Sequence, residues 1–480
     1  MRERVHGVGL AVFGVAVAAL VLRLLAFRHG YSTDELSNLY QGPWWRVLGD
    51  AEVAVNPPFL RALVNLLAPE WAVPGLGRVL ATISSVCTVV VLARTTARLD
   101  GRWGLGAVLA GVAWAVMPVA VKTGAEFRSY GVLGLLFALH VDALTVLRAR
   151  PDDVRARRVR WMTAIAMPWI HYICVPVLLG LGAVGLLRGD RGDRVRAYIP
   201  AALAILPVTT IVFFTDETRV ATPESAWWTL VPIVGFGLDV PDALWVPLSM
   251  PLRSLGVAPT AHHAVGALVV LAAMAVFAVR ERRGGTTATG VEAAWAVLLS
   301  VLVLMPFQYP RSPIGVLLLV ALLPRIGLAW QREVSGATRG VLGTTLAVLW
   351  CISVVESRKK VPREDDVAWF FEHWRDFDGV RGEGPVVLEP ASSLQTAYFY
   401  LEHDHWMTRP PLPPEACGAD PVCFVHDGVA FHGGSETLPS PGLYVAFETY
   451  DRRLRPESTA CRRLVRRAGA ELWACPAGTP

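Results

Sequence analysis

Long apolar runs constrain this chain more than any other feature. The stretch Leu10-Ala-Val-Phe-Gly-Val-Ala-Val-Ala-Ala-Leu-Val-Leu is typical, and similar runs recur through the first three quarters of the sequence. A bilayer core needs about 20 such residues per helix. Lipid offers no partner for backbone N–H and C=O groups, so each run must close its own hydrogen bonds as a helix. Hydrophobic residues make up 53% of the 480 and charged residues only 18%, below the ~25% usual for soluble domains. The pattern stops near Val355. From Glu356 the chain is charged and proline-rich, with no spanning run. The expected fold class is therefore mainly α: a polytopic membrane protein with a small C-terminal α/β domain outside the cytoplasm. The expected domains are residues 1–355 and 356–480.

Basic residues orient the runs, because cytoplasmic loops retain Lys and Arg. Arg2 and Arg4 precede the first run, which shows no clear small-residue cleavage site and reads as a signal anchor. Arg94, Arg98 and Arg102 form a second block, Arg148 to Arg160 a third and Arg188 to Arg196 a fourth. These predict spans at residues 9–27, 76–93, 103–121, 130–147, 197–214, 264–279, 292–305, 314–330 and 341–355. The run 161–187 has basic blocks at both ends, so it must be crossed twice. Two thin or re-entrant helices meeting near Pro168–Tyr172 satisfy that, giving about 11 spans, with the N-terminus cytoplasmic and the tail outside. Arg23, near the far end of the first span, is expected to snorkel to the interface. The net charge of +5 is small and the basic residues cluster in short blocks, so the chain carries no nucleic-acid signature.

Cysteine placement agrees with an exported tail. Cys87, Cys174 and Cys351 fall in spans, whereas Cys417, Cys423, Cys461 and Cys475 fall in the tail. Four cysteines in an oxidising compartment predict two disulfides, in one of three pairings. The tail reads as mixed: strands at residues 385–389, 442–447 and 463–473, and a helix at 392–401.

Five groups of residues carry chemistry, and all fall on the outer face of this threading. Asp34-Glu35 lies just past the first span, where Ser32-x-x-Glu35 also forms a capping box. Asn56-Pro57-Pro58-Phe59 makes a stiff turn. Glu126-Phe127-Arg128-Ser129-Tyr130 sits with Lys122 in a short outer loop, where Glu and Arg either pair with each other or face a ligand. His171-Tyr172 marks the outer turn of the broken run. Arg311, in Tyr309-Pro310-Arg311, stands against the positive-inside bias and suits an anion.

Together these motifs resemble the membrane glycosyltransferases of the GT-C class, in particular the family 39-like, protein-mannosyltransferase-like or aminoarabinose-transferase-like group. The likeness covers most of residues 1–330: an Asp-Glu pair after the first span, a Pro-Pro motif in the same loop, Glu-x-Arg-x-Tyr, His-Tyr in the broken span and a late outer Arg. Asn56 departs from the His that many relatives carry before Pro-Pro, and Gln308-Tyr309-Pro310-Arg311 departs from their Arg-Tyr.

The resemblance implies a sugar donor on a polyprenyl phosphate, anchored in the bilayer, and an acceptor that is a glycolipid, a polysaccharide or a protein. It implies Asp34 as catalytic base, with Glu35 orienting it or holding a metal. Arg128, Arg311 and Lys122 would face the lipid phosphate, and Glu126, Tyr130, His171 and Tyr172 would complete the substrate site. It leaves a divalent metal open. The excess of Arg over Lys and the abundance of Ala, Val and Gly suggest a GC-rich bacterial genome, which makes the expected compartment an inner or plasma membrane. The competing class is a transporter or lipid flippase, which would carry its ionisable groups near the midplane of inverted repeats; no repeat is visible.

Overall fold

A computed structural model describes residues 2–26, 35, 73–171, 174, 177, 178, 180–182, 311–333, 370, 371, 373, 374, 386–389, 401, 423–426, 429–433, 442–447, 461–466 and 470–475. The chain divides into two compact units. One comprises Met1–Ala26, Val47–Leu60 and Gly77–Val354; the other comprises Phe27–Arg46, Arg61–Leu76 and Val355–Pro480.

The first unit is helical. Its described elements are α1 (Arg2–Ala26), α2 (Val73–Asp100), α3 (Leu105–Val116), α4 (Pro118–Ala125), α5 (Tyr130–Ala149), α6 (Val154–Ile170) and α7 (Arg311–Glu333). Among the described residues, the segments Gly7–Ala26, Gly75–Asp100 and Tyr130–Ala149 are each long and apolar enough to cross a membrane. They coincide with the first, second and fourth expected spans. The expected spans at 197–214, 264–279, 292–305 and 341–355 lie outside the described residues.

The helices pack through small residues, as lipid-embedded helices do when no hydrophobic force drives them together. Val12 of α1, Ala93 and Ala97 of α2 and Ala107 of α3 form one such core. At the crossing of α3 and α7, Gly106 and Gly327 meet so closely that a Cβ on either would come within 2.4 Å of the other's carbonyl oxygen. Opposite this packing, Leu10, Phe13, Leu24 and Leu25 of α1 are exposed. A face like that is a liability in water but ordinary contact in lipid. Two hydroxyls buried on α2 are satisfied within the helix, with Thr88 and Thr96 donating to the carbonyls of Ser84 and Leu92. The helix stops at Gly101, whose φ of 75° is the left-handed closing position that glycine adopts without strain.

Three expectations need correction. The third span, predicted as one helix over 103–121, is two: α3 and the following helical segment Val119–Ala125 bend by 61°. Pro118, at the start of α4, lacks the N–H that would continue the ladder. The fifth run begins earlier than residue 161. α6 starts at Val154, with Asp153 accepting a hydrogen bond from the Ala156 N–H at 2.8 Å, so Arg155, Arg157, Arg158 and Arg160 lie on a helix rather than in a loop. The helix passes through Pro168 and ends at His171, whose backbone is extended. Finally, Arg23 does not snorkel. Its side chain is fully buried, and it donates to Ser85 Oγ and to the carbonyls of Ala19, Ala115, Trp114 and Ala120.

The end of the bundle where α2 finishes and α3 begins is bound by ion pairs. Asp142 of α5 pairs with Arg94 at 2.7 Å and with Arg98, and accepts from Thr95 Oγ1 at 3.0 Å. Asp100 pairs with Arg102 at 3.0 Å and with Arg332 of α7 at 2.7 Å. Gln331 donates to Asp100 and accepts from the Gly106 N–H.

In the second unit, β1 (Val386–Glu389), β2 (Cys423–His426), β3 (Val429–Gly433), β4 (Gly442–Phe447), β5 (Arg462–Arg466) and β6 (Ala470–Cys475) form one sheet in the order β2-β3-β1-β4-β6-β5. β1 runs parallel to β3 and β4, and the other pairs are antiparallel. β1 and β4 fall on expected strand runs, and the third run, over 463–473, is the β5–β6 hairpin. The expected helix at 392–401 lies outside the described residues save Leu401, which is helical. Trp374 is buried and its ring lies 5.0 Å from that of Phe431 on β3. Cys461 is disulfide-bonded, whereas Cys87 and Cys174 of the first unit are free thiols. β2, which begins with Cys423, and β5, which follows Cys461, are opposite edges of the sheet. Five strand spacings of about 4.8 Å separate them, so Cys423 is too far to be the partner of Cys461. That removes one of the three pairings.

Candidate functional site

The site is built around the link between α4 and α5. Lys122 stands in the last turn of α4, Glu126 is its C-terminal cap with extended backbone, and Tyr130 opens α5. The Arg128 N–H donates to the Glu126 carbonyl at 2.8 Å, a tight turn that brings both side chains to one side.

The helix α2 is the platform for this link. Gly77, Ala81 and Ser85 recur at intervals of four and so share one face. The Phe127 ring lies over Gly77, where a Cβ would come within 2.0 Å of it. Gly131 meets the Ala81 carbonyl, and Gly124 meets the Ser85 side chain and the Arg23 guanidinium, each at less than 3.0 Å from where a Cβ would sit. Thr82 Oγ1 donates to the Gly124 carbonyl at 2.8 Å, and Ser85 Oγ to that of Ala120 at 3.3 Å. Small residues on both surfaces let the backbone of the link lie flat against α2, which fixes where its charged side chains emerge.

Those side chains form a chain of contacts. Glu126 is held between two cations, with Lys122 Nζ at 3.7 Å from Oε1 and Arg128 Nε at 3.3 Å from Oε2. The Arg128 guanidinium carbon lies 5.8 Å from the centre of the Tyr130 ring, within reach of cation–π attraction. Tyr130 in turn packs on His171 at 5.7 Å between ring centres, tilted by 44°. Tyr130 and His171 are buried, while Lys122 is half exposed. Among the described residues, two cations stand against one carboxylate at this end of the bundle. Along α2, Gly77 is about 34 Å from Asp100 at 1.5 Å per residue, so this cluster and the Asp100–Asp142 ion pairs occupy opposite ends.

The structure thus brings Lys122, Glu126, Arg128 and Tyr130, neighbours in one short segment, together with His171, which is distant in the chain. Glu35 belongs to the second unit, is helical and is fully buried. Arg311 is the first residue of α7. Asp34, Tyr172 and Asn56-Pro57-Pro58 lie outside the described residues. Among the described residues no three His, Cys, Asp or Glu gather as metal ligands.

Sequence reasoning missed the residues that hold the link in place. Gly77, Gly124 and Gly131 carry no chemical signal, and only their spacing against other small residues marks a helix crossing. Arg23 was visible as a charge inside an apolar run, and that was the signal to look for buried acceptors.

No family model matches the chain, and no curated protein matches it. Among solved structures, the chain is similar to ArnT from Cupriavidus metallidurans in the apo state, with a TM-score of 0.40 and 15% identity over 98% of each chain. It is similar also to ArnT from the same organism bound to undecaprenyl phosphate, with a TM-score of 0.42 and 15% identity, again over 98% of each chain.

Proposed function

We propose that this chain is a membrane glycosyltransferase that moves a sugar from a polyprenyl-phosphate donor to an acceptor hydroxyl at the outer face of an inner or plasma membrane. The observation that carries the reading is the cationic cluster of Lys122, Arg128 and Glu126 at one end of apolar helices, backed by the buried rings of Tyr130 and His171. A donor tethered in lipid presents its phosphate at that depth. The basic residues at the other end, Arg94, Arg98, Arg102 and Arg332 among them, fit a cytoplasmic side.

The chemistry follows from charge. In an inverting displacement the acceptor oxygen bonds the anomeric carbon as its bond to the phosphate oxygen breaks. The acceptor proton passes to a base, for which Asp34 is the candidate, oriented by Glu35. Negative charge grows on the departing polyprenyl phosphate. Arg128 offers a planar fork matched to phosphate oxygens, already aligned by Glu126 and the Tyr130 ring, so little reorganisation is needed when the charge develops. Lys122 and Arg311 add positive charge as point or terminal donors. Holding donor and acceptor in line supplies much of the remaining acceleration.

The experiment is incubation of the purified chain, in lipid, with a panel of labelled polyprenyl-phosphate sugars and with glycolipid, polysaccharide and peptide acceptors, scored by product mass. Transfer from at least one donor, reduced at least about a hundredfold by Asp34→Asn as expected for loss of a general base, is the predicted result. Wild-type rates in that variant would remove Asp34 as the base. Movement of donor lipid across the bilayer with no sugar transferred would favour a flippase.

A further inference from the structure

Arg23 sits fully buried in an apolar helix, and every acceptor that the structure gives it is neutral. A guanidinium has five N–H donors. Here Nε donates to Ser85 Oγ at 2.9 Å, Nη1 to the carbonyls of Ala19 and Ala115 at 3.0 Å each, and Nη2 to those of Ala120 at 3.3 Å and Trp114 at 3.5 Å. All five are engaged, so the group has no donor left for a ligand, and its role lies in what it holds.

Three of those carbonyls belong to the break between α3 and α4. Met117 still donates to Ala113, but the next residue is Pro118, four positions after Trp114, and proline has no N–H to give. The Trp114 carbonyl therefore loses its helical donor, in a region where lipid supplies none and an unmet carbonyl is costly. Arg23 reaches across from α1 to donate to that oxygen and to its neighbour on Ala115. Through Nη2 it also donates to Ala120, on the far side of the break. One side chain thus bridges both halves of the bend. Gly124, in the next turn of α4, is packed so close to the Arg23 Nε that a Cβ would lie 2.8 Å from it. Two residues beyond Gly124 is Glu126.

We propose that Arg23 is a positioning residue. Its guanidinium replaces the helix donor removed by Pro118 and so fixes the angle at which α4 delivers Lys122, Glu126 and Arg128. The consequence for catalysis rests on the transferase reading above; the coupling between Arg23 and Pro118 does not.

The test is a double-mutant cycle on the full chain in lipid, with Arg23→Met, Pro118→Ala and the two combined. It is read by amide hydrogen exchange over residues 116–128 and by affinity for a long-chain polyprenyl phosphate. Arg23→Met should speed exchange over 116–128 about tenfold, the effect of losing a charge-assisted hydrogen bond, and leave 135–145 unchanged. Pro118→Ala restores an N–H four residues after Trp114, so the double variant should lie closer to wild type than Arg23→Met alone. If Arg23→Met fails to accumulate, Arg23→Gln takes its place in the cycle, and accumulation restored by Pro118→Ala supports the proposal. Unchanged exchange in the Arg23 variant, or no recovery on adding Pro118→Ala, overturns it. Altered exchange with unaltered phosphate affinity would keep the clamp and remove its link to the site.

Discussion

The Phe127 ring lies over Gly77, closing the space that any side chain at that position would need. This contact anchors Phe127, so Glu126 and Arg128 on either side of it pair with each other from a fixed point on α2.

Gly77→Ala should therefore act on the site without touching its charges. A methyl group would come within 2.0 Å of the ring, so Phe127 must move. Overpacking of this kind costs about 1–3 kcal/mol. We expect a lower melting temperature and weaker phosphate-lipid binding in the same variant. Gly77→Ala combined with Phe127→Ala should be less than additive, because loss of the Phe127 ring removes the clash that the new methyl group makes. Thermal unfolding in detergent and lipid binding measure both.

Gly106 and Gly327 predict a different outcome. Each faces the other's backbone carbonyl, which cannot rotate aside as a ring can. Gly327→Ala should push α3 and α7 apart and reduce folded yield, by a stability loss of the same order, about 1–3 kcal/mol. The crossing lies at the Asp100 end of the bundle, where Gln331 bonds Gly106. The fraction that folds should bind donor lipid as the wild type does. Size-exclusion yield and binding on the monodisperse peak separate the two effects.

Asp142 is the shared counter-charge of Arg94 and Arg98. Asp142→Asn leaves two cations facing a neutral amide. The carboxylate is 6% exposed but each arginine is 39% exposed, so water moderates the cost to about 1–3 kcal/mol. The variant should unfold at lower temperature. Asp142→Asn with Arg98→Gln should recover part of that loss, which a thermal double-mutant cycle reads directly.

Much of this was legible in the sequence, for a physical reason. Lipid penalises unmet backbone so heavily that a run of apolar residues such as 9–27 has little choice but to be a helix. Lys122, Glu126, Arg128, Tyr130 and His171 were also legible as polar groups at the ends of such runs. The failures have one source: local pattern does not show where a distant acceptor lies. Pro118 was visible inside the run 103–121, but whether proline bends a helix or merely interrupts one bond depends on who supplies the missing donor. That donor was Arg23, 95 residues earlier in the chain. Likewise Arg155 to Arg160 read as a loop because basic blocks usually flank spans. Asp153 instead caps a helix there, and Arg160 is buried within it.

Arg128, held ready by Glu126 and Tyr130, is the proposed ligand for a lipid-borne phosphate. The most direct measurement is the affinity of the purified chain for a long-chain polyprenyl phosphate in detergent micelles, compared with Arg128→Ala and with Arg148→Ala. Arg148 lies in the last turn of α5, at the other end of that helix from Tyr130. A charge-assisted hydrogen bond of about 1.5–3 kcal/mol predicts affinity at least about tenfold weaker in Arg128→Ala and unchanged in Arg148→Ala. Equal affinity in all three proteins, each shown to be folded, would contradict the account.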